Sequence, residues 1–123
     1  MKKNIIKETS FVFAVRIVHL CRLLSKQKSE YVISRQMLKS GTAIGALYRE
    51  AEHAESTSDF IHKMSLAQKE CNETIYWLEL LHACDLLSQT QFNSLHKDAV
   101  LIIKLITSII KTKKTNQKRV TNC

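Results

Sequence analysis

The 123-residue sequence contains no proline and only two glycines, where average usage would place about six and about nine. Folds that live on tight turns need both residues, so their scarcity nearly excludes such folds and favours long helices. Long apolar runs are missing too. Phe11 to Leu24 is interrupted by Arg16, His19 and Arg22, and Ala99 to Ile110 is short and contains Lys104, so neither reads as a membrane span. The opening MKKNIIKETS reaches Lys7 and Glu8 before any apolar stretch of signal-peptide length, and no secretory signal is expected. Cys21, Cys71, Cys84 and Cys123 form no C-x-x-C pair. That argues against a zinc ribbon or a disulfide framework and for reduced thiols in a cytoplasmic protein without a cofactor.

What is present is an ordinary globular balance, 45% hydrophobic and 24% charged, with one outlier. Nineteen Lys and Arg against eleven Asp and Glu give a net charge of +8, which suggests an acidic partner such as nucleic acid. Lys2, Lys3, Lys111, Lys113, Lys114, Lys118 and Arg119 sit at the two ends, leaving residues 4–110 with 12 basic and 11 acidic side chains. The body is nearly neutral; the ends are basic. The length predicts one domain, residues 1–123.

Helical periodicity accounts for almost all of the chain. Residues spaced alternately three and four apart share a helix face. Ile33, Met37, Ser40, Ile44, Leu47, Ala51 and Ala54 obey that spacing, as do Phe60, Met64, Ala67, Cys71, Thr74, Leu78 and Leu81, and then Phe92, Leu95, Ala99, Ile102, Ile106 and Ile109. The first segment offers two apolar lines, Phe11, Ala14, Val18 and Cys21 on one side and Phe13, Ile17, Leu20 and Leu24 on another. Ser29 precedes the second helix, and Ser56 with Asp59 and Ser88 with Gln91 have capping-box spacing. The prediction is an all-α, antiparallel up-down-up-down four-helix bundle with helices at about 9–26, 30–54, 57–85 and 89–113, followed by a basic, mobile tail over 114–123.

Both glycines, Gly41 and Gly45, lie on one face of the second helix. Each costs about 1 kcal/mol relative to Ala there, so close packing of another helix backbone is the expected return. No phosphate-loop consensus surrounds them. Glu50-x-x-His53 and Glu79-x-x-His82 have the spacing of di-iron bundles. Counted from the turn near residue 56, however, the two pairs lie about 9 Å and about 34 Å along neighbouring helices, too far apart to share a metal. No metal site is expected. No strand-turn-helix context presents a nucleophile either, and the chain does not read as an enzyme.

The basic surface is the more informative signal. At about 100° per residue, Lys28, Arg35, Lys39, Arg49 and His53 fall within about 40° of one line on the second helix, opposite its apolar stripe. Thr42 and Ala46 lie between them, and Glu50 intrudes at the rim. A ladder of cations suits phosphate contacts. Together with Lys111, Lys113 and Lys114 these residues are the candidate contacts to RNA or DNA. The same line could also be a solvated face, or could pair with Asp59, Glu70 and Glu73 of a neighbouring subunit. The first and fourth helices are apolar on more than one side, which predicts self-association. Trp77, Leu80, Val100 and Ile103 are the candidate interface residues.

The run Ser40-Gly41-Thr42-Ala43-Ile44-Gly45-Ala46, then Glu50-Ala51, then Ser58-Asp59-Phe60-Ile61-His62-Lys63, then Glu70, Glu73, Thr74 and Tyr76-Trp77-Leu78-Glu79-Leu80-Leu81 resembles a bacterial four-helix-bundle family. That family is known from reading frames in intervening sequences of 23S ribosomal RNA genes. The resemblance covers essentially the whole chain. It implies a ring-like homopentamer and relatedness to the accessory variability protein of diversity-generating retroelements, a basic pentamer that binds nucleic acid and a reverse transcriptase. Relatives usually carry Gly-Ala-Asn before Glu-Ala, whereas Leu47, Tyr48 and Arg49 stand here between Ala46 and Glu50.

Overall fold

Four amphipathic segments joined by short connections can bury their apolar stripes only against one another. The computed structural model, which describes residues 4–121, consists of α1 (Ile5–Lys28), α2 (Val32–Glu52), α3 (Thr57–Ala83) and α4 (Gln89–Thr121). The connections span residues 29–31, 53–56 and 84–88, too short for anything but antiparallel neighbours. α1 packs on α2, α2 on α3 and α3 on α4, and α1 closes the ring against α4. The core runs along the axis through Phe13, Ile17, Leu24, Met37, Ile44, Met64, Leu78, Leu81, Ile102 and Ile106. Of the two apolar lines on α1, packing buries all of Phe13, Ile17, Leu20 and Leu24, whereas of the other line only Cys21 is buried and Phe11 is left 55% exposed.

Polar contacts also tie neighbouring helices. The Thr74 hydroxyl, fully buried on α3, donates to the Ser40 hydroxyl of α2 at 2.8 Å. The Arg16 guanidinium of α1 pairs with Asp98 of α4 and donates to Ser94 Oγ at 2.7 Å.

The helix ends differ from expectation in three places, each for a local reason. α1 starts a turn early because the Asn4 side chain accepts the Lys7 N–H and Glu8 sits at the positive end of the helix dipole. Ser29 does not cap the second helix. It ends the first in a left-handed conformation (φ 51°), its N–H returning to the Leu24 carbonyl. The start of α2 is satisfied instead by Glu30, whose carboxylate accepts the N–H groups of Ile33 (3.1 Å) and Ser34 (2.7 Å). The third departure is the basic tail. Residues 114–121, expected to be mobile, continue α4, since no proline or glycine interrupts them and Thr115 Oγ1 bonds back to the Lys111 carbonyl. Residues 122 and 123 of that tail lie outside the described residues. Both capping serines hold: Ser56 Oγ accepts from Asp59 N, and Ser88 and Gln91 exchange reciprocal bonds of 3.0 and 3.1 Å.

A candidate nucleic-acid interface

The outward face of α2 lies opposite Met37, Ile44 and Ala51, which are at most 1% exposed. That burial fixes the helix rotation and turns Arg35, Lys39 and Arg49 into solvent, with Thr42 and Ala46 between them. Lys28 and His53, expected on the same helix, flank it: Lys28 is the last residue of α1 and His53 caps the end of α2. Both are exposed. The line of cations therefore runs from the α1–α2 turn to the α2–α3 turn, with only its middle on α2.

Its electrostatics follow from what the acids are doing. Between residues 28 and 53 the carboxylates are Glu30, Glu50 and Glu52. Glu30 is held on the start of α2. Burial alone would raise its pKa, but hydrogen bonds from the Ser34 amide, the Ile33 amide, the Ser34 hydroxyl and the Val32 amide outweigh that and lower it. Glu50 accepts from Lys63 Nζ at 2.9 Å, and Glu52 pairs with Lys7 at 3.2 Å. Every acid in the segment is engaged within the chain, whereas Lys28, Arg35, Lys39 and Arg49 make no ion pair among the described residues. Arg49 instead lies over the Phe11 ring, 5.4 Å from its centroid.

Lys111, Lys113 and Lys114 are exposed on the last turns of α4. Since α4 packs against α1 and α3 and not against α2, they form a second basic patch on a different wall of the bundle. The Lys113 ammonium rests over Phe60, 4.9 Å from the ring centroid. Trp77, Leu80, Val100 and Ile103 are half-buried; Trp77 Nε1 donates to Glu73 and its ring meets Tyr76 edge-on. The larger exposed apolar surface lies elsewhere, on α1, at Ile5, Phe11, Val12 and Val15, with Leu101 on the adjoining α4.

Residues of the Glu-x-x-His pairs point to other partners. Glu50 holds Lys63, Glu79 meets His96 at 3.2 Å and His82 meets Gln89 at 3.2 Å. No group of three or more potential metal ligands occurs among the described residues. Burial pushes the Cys71 thiol up to about 12, and burial with the Glu30 charge pushes Cys21 up to about 11, so neither is a thiolate at neutral pH. No helix of the described residues is long and apolar enough to cross a membrane.

The sequence reading missed Arg22 and Lys26 of α1 and Tyr31 of the first turn. They border the α1–α2 seam together with Arg35. For Arg22 the cationic interruption of the apolar α1 segment was a signal; Lys26 and Tyr31 had none.

Residues 2–108 match the 23S rRNA-intervening sequence protein family. Among solved structures the chain is similar to a protein of unknown function from the S23 ribosomal protein family of Bacteroides thetaiotaomicron. The two share 50% identity and a TM-score of 0.85 over 86% of this chain and 98% of that one. No curated protein matches.

Proposed function

The chain belongs to the 23S rRNA-intervening sequence protein family, and from that premise we propose that it is a non-enzymatic, cytoplasmic, self-associating protein that holds RNA or DNA by the phosphate backbone. Lys28, Arg35, Lys39, Arg49 and His53 form the principal contact, and Lys111, Lys113 and Lys114 form a second. The observation that carries this reading is the charge arrangement along residues 28–53. Glu30, Glu50 and Glu52 are each engaged within the chain, and four cations that make no ion pair among the described residues face solvent. Phosphate contacts need that arrangement, and a self-associated ring would multiply it. The family's name refers to 23S rRNA, which makes RNA the first nucleic acid to test.

Self-association is supported by the apolar outer surface of α1, where Ile5, Val12 and Val15 stand 56%, 57% and 40% exposed. Packing of a second copy would remove that surface from water. The same surface supports a second reading, a scaffold that docks another protein and makes no nucleic-acid contact.

The deciding measurement is the affinity for RNA as a function of salt. Each phosphate contact contributes about −0.7 to −0.9 to the slope of log K against log salt, so several contacts give a steep fall. Absence of binding at low ionic strength, or an affinity indifferent to salt, removes the nucleic-acid reading and leaves the scaffold. Light scattering at two salt concentrations measures the association independently.

A further inference from the structure

Resting on the nucleic-acid reading above, we propose that the α1–α2 seam takes a single strand, with an unpaired base laid against Tyr31 and its flanking phosphates held by Arg22, Lys26 and Arg35. The seam opens there into a groove of about 720 Å³, within the range of roughly 300–1,000 Å³ that small ligands occupy. Its chemistry is that of a nucleotide in three parts. Val18 and Leu38 give it an apolar lining, and Tyr31 adds a 55% exposed ring. Arg22, Lys26 and Arg35 rim it, and none of them is ion-paired among the described residues. A solvated cationic face has no use for an exposed aromatic ring beside apolar lining. A nucleotide does, because every base has a π-face to stack and every backbone phosphate a charge to neutralise.

The carboxylate that stands nearest in sequence is Glu30, and it is occupied by the Ile33 and Ser34 amides and the Ser34 hydroxyl. It offers no free acceptor to compete with a phosphate for the guanidinium groups.

The same combination recurs farther down the seam. Phe11 and Arg49 stack at 5.4 Å beside a recess of about 270 Å³ lined also by Ala14, Gly45 and Ala46. Arg35 and Arg49 are fourteen residues apart on one helix, about 21 Å at 1.5 Å per residue, a separation that an extended strand of a few nucleotides spans. A duplex cannot use either recess, since its bases are already stacked inside it. It could touch only the rims.

The test compares single-stranded RNA and single-stranded DNA of about 12 nucleotides with the matching duplex by fluorescence anisotropy at one low salt concentration, and repeats the single-strand titrations over a series of salt concentrations for wild type and Arg35→Ala. The full-length wild type, Tyr31→Ala, Tyr31→Phe and Arg35→Ala are used. Either or both single strands should bind on the order of tenfold more tightly than the duplex. Tyr31→Ala should lose roughly that factor for single strands and leave duplex affinity unchanged, with Tyr31→Phe restoring it. Arg35→Ala should lower the salt slope by about one contact. Equal affinity for duplex and single strand, or an unaffected Tyr31→Ala, overturns the groove while the basic-face reading stands. No binding of any nucleic acid at low salt overturns both. If light scattering shows that Tyr31→Ala dissociates the oligomer while binding persists, the seam is covered by a second copy and the groove proposal fails.

Discussion

A β-carbon on Gly41 would lie 2.9 Å from Cγ2 of Ile17. α1 and α2 meet at this point with no room for a methyl group. Ile17 is fully buried and β-branched, so its methyl cannot swing away as the end of a flexible side chain could. Gly45 faces Ser10 instead, with 3.2 Å to its Oγ, and a hydroxyl of that kind can give a few tenths of an ångström.

The two glycines should therefore respond differently to alanine. Gly41→Ala gains about 1 kcal/mol of helix propensity and loses about 1–3 kcal/mol to overpacking, for a net loss of about 1 kcal/mol in urea denaturation. Gly45→Ala should match or exceed wild-type stability by up to about 1 kcal/mol. In an Ile17→Ala background the Gly41→Ala cost should vanish, and a double-mutant cycle without coupling would show that the contact is not what excludes the methyl.

Glu30 is a cap, so its value to the fold should follow its ionisation. Glu30→Gln should cost about 1 kcal/mol. The folded-state pKa is lowered from 4.5, so the contribution is fully present above 4.5 and is lost as pH falls through the folded value. Acid titration of wild type and variant should converge at low pH. Parallel curves would mean that the carboxylate charge is not involved.

Reversing charge at Arg35 and Lys39 separates the two functional readings. Arg35→Glu with Lys39→Glu should abolish RNA binding and leave the oligomer mass unchanged in light scattering. Both residues are exposed and unpaired, so thermal stability should move by no more than about 0.5 kcal/mol. Dissociation of the oligomer would assign the line to a subunit interface.

The thiols predict an alkaline limit. Cys21 and Cys71 are buried, with values raised from 9.0 to about 11 and about 12, while Cys84 is exposed. In the unfolded chain both would release a proton near 9; in the fold they keep it. Stability should thus decline from pH 9 toward 11, by about 1.4 kcal/mol per pH unit for each thiol. Alkylation followed by peptide mass spectrometry at pH 8 should label Cys84 and spare Cys21 and Cys71. Equal labelling of all three would contradict their burial.

Much of this architecture can be read from local spacing alone. A helix is selected by neighbours three and four residues away, and caps such as Ser56 and Ser88 act within one turn, so both are legible without knowing the fold. Gly41 and Gly45 likewise announce a special face of α2, though not that Ile17 and Ser10 would occupy it. The basic tail was misjudged because its Lys, Thr, Asn and Gln residues look like a solvated end. Their helix is continuous with α4, and Gln117 Nε2 within it donates to Ser58 Oγ of α3 at 2.9 Å.

By itself the sequence determined four helices, their order, their antiparallel course, and a cationic outer line on the second. Only the tertiary structure decided which of two apolar lines on α1 is buried, because Phe11 and Phe13 are equally hydrophobic and a choice exists only once α2 and α4 are in place. It likewise decided that Glu30, Glu50 and Glu52 are engaged inside the chain. That brought Arg22 and Lys26 from one helix beside Tyr31 and Arg35 at the next. Charge can be counted along a chain, but which charges stay unpaired and which share a groove depends on distances between segments, and packing sets those distances.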